Sequence, residues 1–540
     1  MSAMTRTADG TLATEHGSTQ STTGTGAITT NGATLNFAIA TESWVDPDGA
    51  VAGAGGFIDD TASSEISGGS TSDLIMDGDE TINISLLGSL RNGETYTLID
   101  VASGDTTAFG DSDALTDDNG TDDYTLSDNS YVIDTDVRRD DGDLIVRATR
   151  SPTVYRDNVR TELGVTSHFT DPASTRLGQL ADDGQDYDED MQTVLNKLDI
   201  DQWGFGNNQA NLAVQGQRLA PIANNSFGRS AFRTASLMND SIGLRLHELR
   251  LPEPDERASA IWLRSVAQMG EQEALGQYDG YENQINGVTI GLDARPTPTT
   301  LLGIAGSYST TDIEQKDFRD GEDASIDAWH VSLYGAIDIT EALVLDLTLT
   351  GSDNNTSGNR ATVVGRTAQF DFDSEQITGK INLGYRIKLG ETNATLTPLL
   401  SYEASDYSQD AFTETGAGDI GLMVEEQDLN WNQASLGARL ATAGLIGGMV
   451  VKPQLTVMGV REAGNFAKPV TAQFIGDNTD EASFITNAPE REDYERDGIR
   501  ASLGVDLLMS ANSSMSLQYE HSDVADYTSD QLNLTVRWDF

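Results

Sequence analysis

The last ten residues of the chain, Gln531 to Phe540, alternate apolar and polar positions without a break. Leu532, Leu534, Val536, Trp538 and Phe540 fall on one side of an extended strand, and Asn533, Thr535, Arg537 and Asp539 on the other. The same period of two recurs over residues 258 to 540. Val288, Ile290 and Leu292 oppose Thr289 and Asp293; Trp329, Val331 and Leu333 oppose His330 and Ser332; Leu343, Leu345, Leu347 and Leu349 oppose Asp346 and Thr348. Ile381, Leu383 and Tyr385 oppose Lys380, Asn382 and Arg386. The pattern continues through Leu436, Leu440, Leu503, Val505, Leu507, Leu517 and Tyr519, with Arg439, Arg500, Asp506 and Glu520 on the polar side. With weaker stretches at 258–269, 299–308, 393–403 and 449–461, this predicts about twelve strands, an even number suited to an antiparallel transmembrane barrel.

Connection lengths point the same way. Short links at 295–298, 338–341, 389–392, 442–448 and 510–513 alternate with long polar segments at 270–282, 309–325, 351–375, 404–430 and 463–497. Outer-membrane barrels have this asymmetry, with short periplasmic turns and longer extracellular loops. A mid-bilayer Arg or Lys facing lipid costs about 2 to 4 kcal/mol, so the charges must face a wet lumen. The expected pore lining is Arg264, Asp293, Asp346, Lys380, Arg386, Arg439, Arg500, Asp506, Glu520, Arg537 and Asp539. His330 is a lone inward histidine and reads as structural. No Ser-His or metal-binding constellation emerges, so no catalytic, metal or cofactor site is expected.

Upstream of the strands the period changes to that of helices, first in Met191 to Leu198 and then from Asn208 towards Leu219. In the next segment Phe232, Ala235, Ile242, Leu246 and Leu249 share a face, while Arg233, Asn239, Arg245 and Glu248 lie elsewhere. Ser230 to Arg250 as a helix spans roughly 30 Å, the depth of a bilayer core. It is too charged for lipid and is expected inside the pore. Residues 21 to 150 are rich in Gly, Thr, Ser and Asp, with short alternating runs such as Ile82-Ile84-Leu86 and Tyr96-Leu98. Ser130 to Asp136 and Asp143 to Ala148 flank Asp141-Gly142, a hairpin signal. The whole reads as mostly β.

Composition excludes several functions. A net charge of -53 strongly disfavours nucleic-acid binding, and only six bases are lysine. The acidity suits either a high-salt surface or an ordinary acidic secreted protein. Cysteine is absent, and no run approaches about 18 apolar residues, so any membrane insertion is by strands. Met1 to Gln20 lacks the apolar core of a signal peptide, which an exported barrel needs; a truncated or misassigned start is the expectation. Asp46-Pro-Asp-Gly49 lacks the later ligands of a calcium loop, Gly110-Asp111-Ser112 has no histidine partner nearby, and Asn119-Gly-Thr121 bears on glycosylation only in a eukaryote. The first two read as turns.

Leu90 to Gly104, Leu-Arg-Asn-Gly-Glu-Thr-Tyr-Thr-Leu-Ile-Asp-Val-Ala-Ser-Gly, resembles the closing rungs of autotransporter β-helical passengers. Arg245-Leu-His-Glu-Leu-Arg250, followed by Trp262-Leu-Arg264, is similar to the junction of helix and first strand in autotransporter translocators. The order of elements over residues 80 to 540 resembles that family throughout. The resemblance implies a type V secretion protein: residues 1–80 a passenger remnant, 81–150 a β-helix-like, autochaperone-like passenger end, 151–257 a helical connector with the pore helix, and 258–540 the barrel. It also implies an outer-membrane location with the N-terminal part at the cell surface. The expected partners are outer-membrane lipid, periplasmic chaperones and the barrel-assembly machinery, which reads a terminal strand bearing Trp538 and Phe540; the barrel is expected to be monomeric. Some members cleave their passenger through an Asn that cyclises onto its own backbone. The register counted from Arg245 gives Asp240-Ser241 instead of an Asn pair, leaving Asn239 and Asp240 as cleavage candidates and an uncleaved plug as the plainer reading. The expected role is translocation and anchoring of an adhesive or structural passenger of unknown ligand, with a barrel lipase or protease, or a plain porin, as alternatives.

Overall fold

The computed structural model describes residues 259–539 except 391–392, 447–448, 466–467, 480–481, 488–495 and 511, and residues 124–248 except 141–142, 183–188 and 201–208. Before residue 124 it describes 11–13, 19–21, 28–29, 34–39, 65–67, 74–75, 80–86, 88–90, 92–93 and 95–100. Asp46 to Gly49, Gly110 to Ser112, Asn119 to Thr121, the start of the chain and Phe540 therefore lie outside the described residues.

Twelve long strands close into a barrel. They are β1 Ser259–Gln272, β2 Tyr281–Thr297, β3 Thr300–Gln315, β4 Asp323–Asp338, β5 Leu343–Ala361 and β6 Thr367–Tyr385. The second half comprises β7 Ala394–Gln409, β8 Gln427–Thr442, β9 Met449–Asn465, β10 Asp497–Ser510, β11 Ser513–Val524 and β12 Tyr527–Asp539. Each pairs antiparallel with its neighbour, and β12 returns to β1 from Ala260↔Asp539 to Gln272↔Tyr527, so no edge remains. The alternation has its expected cause. Leu503 is 62% exposed on the outside while Ser502 beside it is 6% exposed and faces in. Leu347, Leu436, Leu532, Leu534 and Trp538 likewise face out, forming an apolar belt.

The long polar segments are shorter than the sequence suggests. Residues 309–315, 323–325, 351–361 and 367–375 are strand, and β5 and β6, nineteen residues each, are joined by only five. The reason is physical: above the belt the outer face meets water, so both faces turn polar and the apolar half of the alternation disappears. One connection on that side is very short. Ala525 and Asp526 alone join β11 to β12, with φ of 60° and 57°, the left-handed pair of a tight hairpin turn. The genuinely long segments between β7 and β8 and between β9 and β10 form a small sheet of Phe412–Thr413, Leu422–Val424, Thr471–Phe474 and Ser483–Ile485.

The N-terminal strands pair in parallel. Thr11–Ala13, Thr34–Ile39, Glu80–Leu86 and Tyr124–Asp128 stack in one sheet, Thr19–Ser21, Glu65–Ser67 and Thr95–Asp100 in a second, Ile28–Thr29 and Leu74–Ile75 in a third. The chain visits the three sheets in turn, which is the winding of a β-helix. Leu35 sits over Ile82 and Phe37 over Ile84 inside it, while Asn83 donates to Asn36 at 2.7 Å and accepts from Ser127 at 2.6 Å, linking successive rungs. A hairpin of Ile133–Asp140 and Asp143–Arg150, paired from Ile133↔Arg150 to Asp140↔Asp143, closes the stack.

Five helices follow: α1 Val154–Leu163, α2 Asp171–Asp182, α3 Glu189–Asp199, α4 Gln209–Gln217 and α5 Ser226–Glu248. The sequence pattern finds α3, α4 and α5 but misses α1 and α2. α1 buries only Tyr155, Asn158 and Val159, and α2 packs through small or polar residues such as Ala173, Ser174, Gly178 and Ala181. α2 does bury Leu177 and Leu180 in step with Ala173 and Ala181, but only two residues of that face are large and apolar, which makes a weak signal. One continuous core runs from Leu35 and Ile84 through Tyr155, Leu177 and Leu195 to Val363, Ile420, Phe474 and Phe484 of the barrel loops.

Candidate functional site

α5 enters the lumen along β1 to β7 and presents its polar residues to inward-facing strand residues. It can fit because the wall is locally small: a Cβ at Gly287 would come within 2.6 Å of the Met238 methyl. Apolar contacts guide the upper turns, where Phe232 stacks on Trp431 at 6.1 Å and meets Tyr407 edge-on at 5.8 Å. Arg233 donates to Glu462 at 2.5 Å and lies over the Tyr527 ring, 4.5 Å from its centre. Thr234 meets Thr311 at 2.9 Å, and Asn283 donates to Ser230 at 3.0 Å.

Midway, the pair singled out for cleavage is bound into the wall. Asn239 donates to Glu403 at 3.0 Å and accepts from Thr350 at 2.6 Å; Ser236 donates to the other Glu403 oxygen at 2.8 Å. Asp240 accepts from Lys380 at 2.6 Å and from Arg500 at 3.3 Å, and Lys380 also reaches Glu403 at 3.1 Å. Deeper still, Arg245 forks onto Asp293 with bonds of 2.9 and 2.8 Å. Tyr334 donates to the same carboxylate at 3.1 Å and accepts from the Trp262 indole at 2.8 Å. Arg264 donates to the Ser241 carbonyl at 2.6 Å and to Thr535 at 2.5 Å.

The remaining expected lining residues have other partners. Arg439 donates to Thr456 at 3.0 Å, Arg500 also pairs with Glu520 at 3.3 Å, and Arg537 pairs with Asp539 at 2.7 Å. Asp346 and Asp506 are buried on inward positions. Arg386 keeps inward parity but lies at a turn, where it donates to the Glu341 carbonyl. Trp538 faces outward, half exposed. His330 sits between Ser309 at 2.9 Å and Ser352 at 2.8 Å, consistent with a structural part. Between α5 and the wall of β8 to β11 lies a polar cavity of about 90 Å³, lined by Arg439, Thr456, Arg500, Gln518 and Glu520 among others.

Glu403 and Glu462, both buried, are the residues that sequence reasoning missed. Glu403 sits at the limit of a weak apolar stretch and Glu462 just beyond another; the signal available was the inward parity itself, carried past the last apolar position.

Residues 261–520 match the family model of the autotransporter beta-domain. The barrel is an autotransporter β-domain. Outer membrane protein A of Rickettsia conorii is 27% identical over 206 residues, covering 36% of this chain and 10% of the relative. Outer membrane protein B of Rickettsia prowazekii is 20% identical over 333 residues, covering 60% of this chain and 20% of the relative. An extracellular serine protease of Serratia marcescens is 23% identical over 341 residues, covering 62% and 31%. The chain thus spans about a tenth to a third of these relatives. Among solved structures, the translocator domain of the autotransporter NalP from Neisseria meningitidis is 14% identical with a TM-score of 0.45, covering 57% of this chain and 98% of that one. The β-domain of the Bordetella autotransporter BrkA is 17% identical with a TM-score of 0.40, covering 52% and 100%.

Proposed function

We propose that the barrel, residues 258–540, carries residues 1–150 to the cell surface and then anchors them there, with residues 151–257 as the connector that crosses and closes the pore. The observation that carries this reading is the path of α5: it leaves the β-helical end of the chain on one side and occupies the lumen through charge-paired contacts with the wall. A porin has no use for such a helix. A barrel hydrolase needs a nucleophile, base and acid together, and the two ring nitrogens of His330 are taken by Ser309 and Ser352 instead of by a carboxylate.

The surface-displayed part acts as an adhesin or structural element in this reading, its acidity being tolerated best at high salt, where repulsion among acidic groups is screened. Insertion uses the barrel-assembly machinery and periplasmic chaperones, with Trp538 and Phe540 as the terminal signal. The passenger stays attached. Asn239 has both ends of its carboxamide engaged by Glu403 and Thr350, and it lies within a helix whose carbonyls are committed to the hydrogen-bond ladder, so the amide is not free to attack.

The test is fractionation of cells expressing the full chain with an export signal, followed by gel mobility with and without boiling and protease treatment of intact cells. A heat-modifiable, full-length band that external protease shortens from its N-terminal side is expected. A soluble, heat-insensitive product overturns the reading, and a fragment beginning at Asp240 overturns the uncleaved anchor.

A further inference from the structure

At the mouth of the barrel, two arginines hold the chain by its backbone. Arg319, in the link between β3 and β4, donates through Nη2 to the carbonyls of Ala220 at 3.1 Å and Pro221 at 3.2 Å. Arg360, near the end of β5, donates through Nη1 to the carbonyls of Arg218 at 2.7 Å and Ala220 at 3.4 Å. The two guanidinium groups therefore converge on one carbonyl, that of Ala220. Both are almost completely buried, 2% and 1% exposed, and each is neutralised by the barrel's own glutamate. Glu322 accepts from Arg319 at 3.0 Å, and Glu414 takes Arg360 in a fork at 2.8 and 2.6 Å.

Apart from the Arg264 bond to the Ser241 carbonyl, the lumen contacts described above differ in kind. There Arg245, Asp240 and Asn239 are recognised by their side chains, and a different sequence makes none of those bonds. At the mouth the bonds from Arg319 and Arg360 to residues 218–221 fall on main-chain carbonyls, which every residue presents. The glutamates fix the forks independently of what lies between them, so the donors are organised before any chain arrives.

We infer that Arg319 and Arg360 form a polypeptide-binding collar that is blind to side chains, whose ligand is a set of main-chain carbonyls, supplied here by the turn that follows α4. In the finished protein the ligand is Arg218 to Pro221; during export it is the passing passenger. This rests on the translocation reading above. A collar of this type gives the emerging chain a succession of equivalent carbonyl contacts at the outer rim, and each residue that leaves is replaced by an equal one. Retention of chain already outside follows without selection for passenger sequence.

The test is pulse–chase arrival of the N-terminal part at the cell surface, read by external protease, in the full-length exported chain. Lysine keeps the charge for Glu322 and Glu414 but has no fork, so R319K/R360K should slow arrival about tenfold or more. Its barrel should remain heat-modifiable; should the double variant fail to insert, R319K alone serves, with a smaller delay expected. A220S and P221A retain the carbonyls and should export at the wild-type rate. Wild-type arrival rates in the lysine variants overturn the collar while leaving translocation intact, as does a variant whose only defect is raised conductance after export. If the wild type never displays its N-terminal part, the collar and the translocation reading fall together.

Discussion

Replacing Asp293 by Ala removes the partner of the deepest charge on the plug helix. Arg245 and Asp293 have side chains only 1% and 2% exposed, and the guanidinium is held by two near-parallel bonds. Removing one member of a buried pair costs about 3 to 5 kcal/mol, because the other charge stays behind uncompensated. A wet lumen softens this, so the low end applies: about 3 kcal/mol, which is roughly a hundredfold change in the equilibrium between seated and unseated helix. Tyr334 adds to the loss, since its hydroxyl then has no carboxylate to receive it. The assay is single-channel recording of the purified protein in planar bilayers, counting open time. The D293A variant should open about a hundred times more often than the wild type, and R245A should behave similarly. The double variant R245A/D293A leaves no stranded charge and should recover much of the closed state. If both single variants stay as closed as the wild type, or if the double opens more than either, the ion pair does not hold the plug.

On the outer wall, Leu503→Arg places a charge in lipid and should cost about 2 to 4 kcal/mol if it lies near the bilayer midplane, read as a lower urea midpoint for the heat-modifiable band, whereas Ser502→Arg faces the lumen and should cost far less. Asp199→Ala breaks a buried latch in which Arg150 donates to both carboxylate oxygens at 2.7 and 2.8 Å and Tyr155 donates as well; about 3 kcal/mol or more should be lost, and limited proteolysis should cut between the β-helical end and α1 sooner. Two groups at the rim give opposite pH responses. Burial holds His168 down to about 4, against Asp171 and together with Arg319, so the fold favours the neutral ring: stability is full above 6.5 and falls as pH drops from there towards 4. Burial lifts Asp279 to about 6 despite Arg319, so stability rises as pH falls from 6 towards 3.8. Hydrogen exchange in α1 and α2 should therefore change little across that window in the wild type, rise in acid in D279N, and fall in acid in H168Q.

The barrel was readable because lipid on one side and water on the other impose a period of two that nothing in the chain interrupts, from Val288 to Trp538. Reading failed where one of those solvents was missing. Above the belt, Ser352 to Arg360 and Thr367 to Ser374 remain strand with water outside, and without an apolar face they look like loop. α1 and α2 failed for a different reason: their large buried apolar residues are few, Tyr155 and Val159 in one and Leu177 and Leu180 in the other, too few to mark a helical period. The site was legible in kind and less so in detail: inward charges were expected, and Lys380, Asp293 and Arg500 do meet α5, but a strand pattern carries no information on which carboxylate a given arginine will meet. Glu403, which gathers Ser236, Asn239 and Lys380, becomes visible only once helix and wall are together.

The scarcity of cations bears on how the plug is held. With 33 Lys and Arg against 86 Asp and Glu, an arginine placed at random on this chain meets an excess of acids and is easily paired anywhere. Yet Arg150, Arg176, Arg245, Arg319 and Arg360 are all buried and each joins segments far apart in sequence or holds a backbone at the barrel mouth. Exposed pairs in such a chain add little, typically below about 1 kcal/mol, and salt screens them. Buried ones are expensive to break and insensitive to salt, so concentrating the cations at the joints between β-helix, connector and barrel makes the joints the last places to loosen when ionic strength changes. The acidic excess is left on the surfaces, where like charges repel. An architecture of this kind separates the two demands by location: repulsion along the surfaces, fixed charge pairs at the crossings. The Arg245 fork is the deepest of those crossings, and for that reason its loss should open the pore when the loss of an exposed pair such as Arg461 and Asp497 does not.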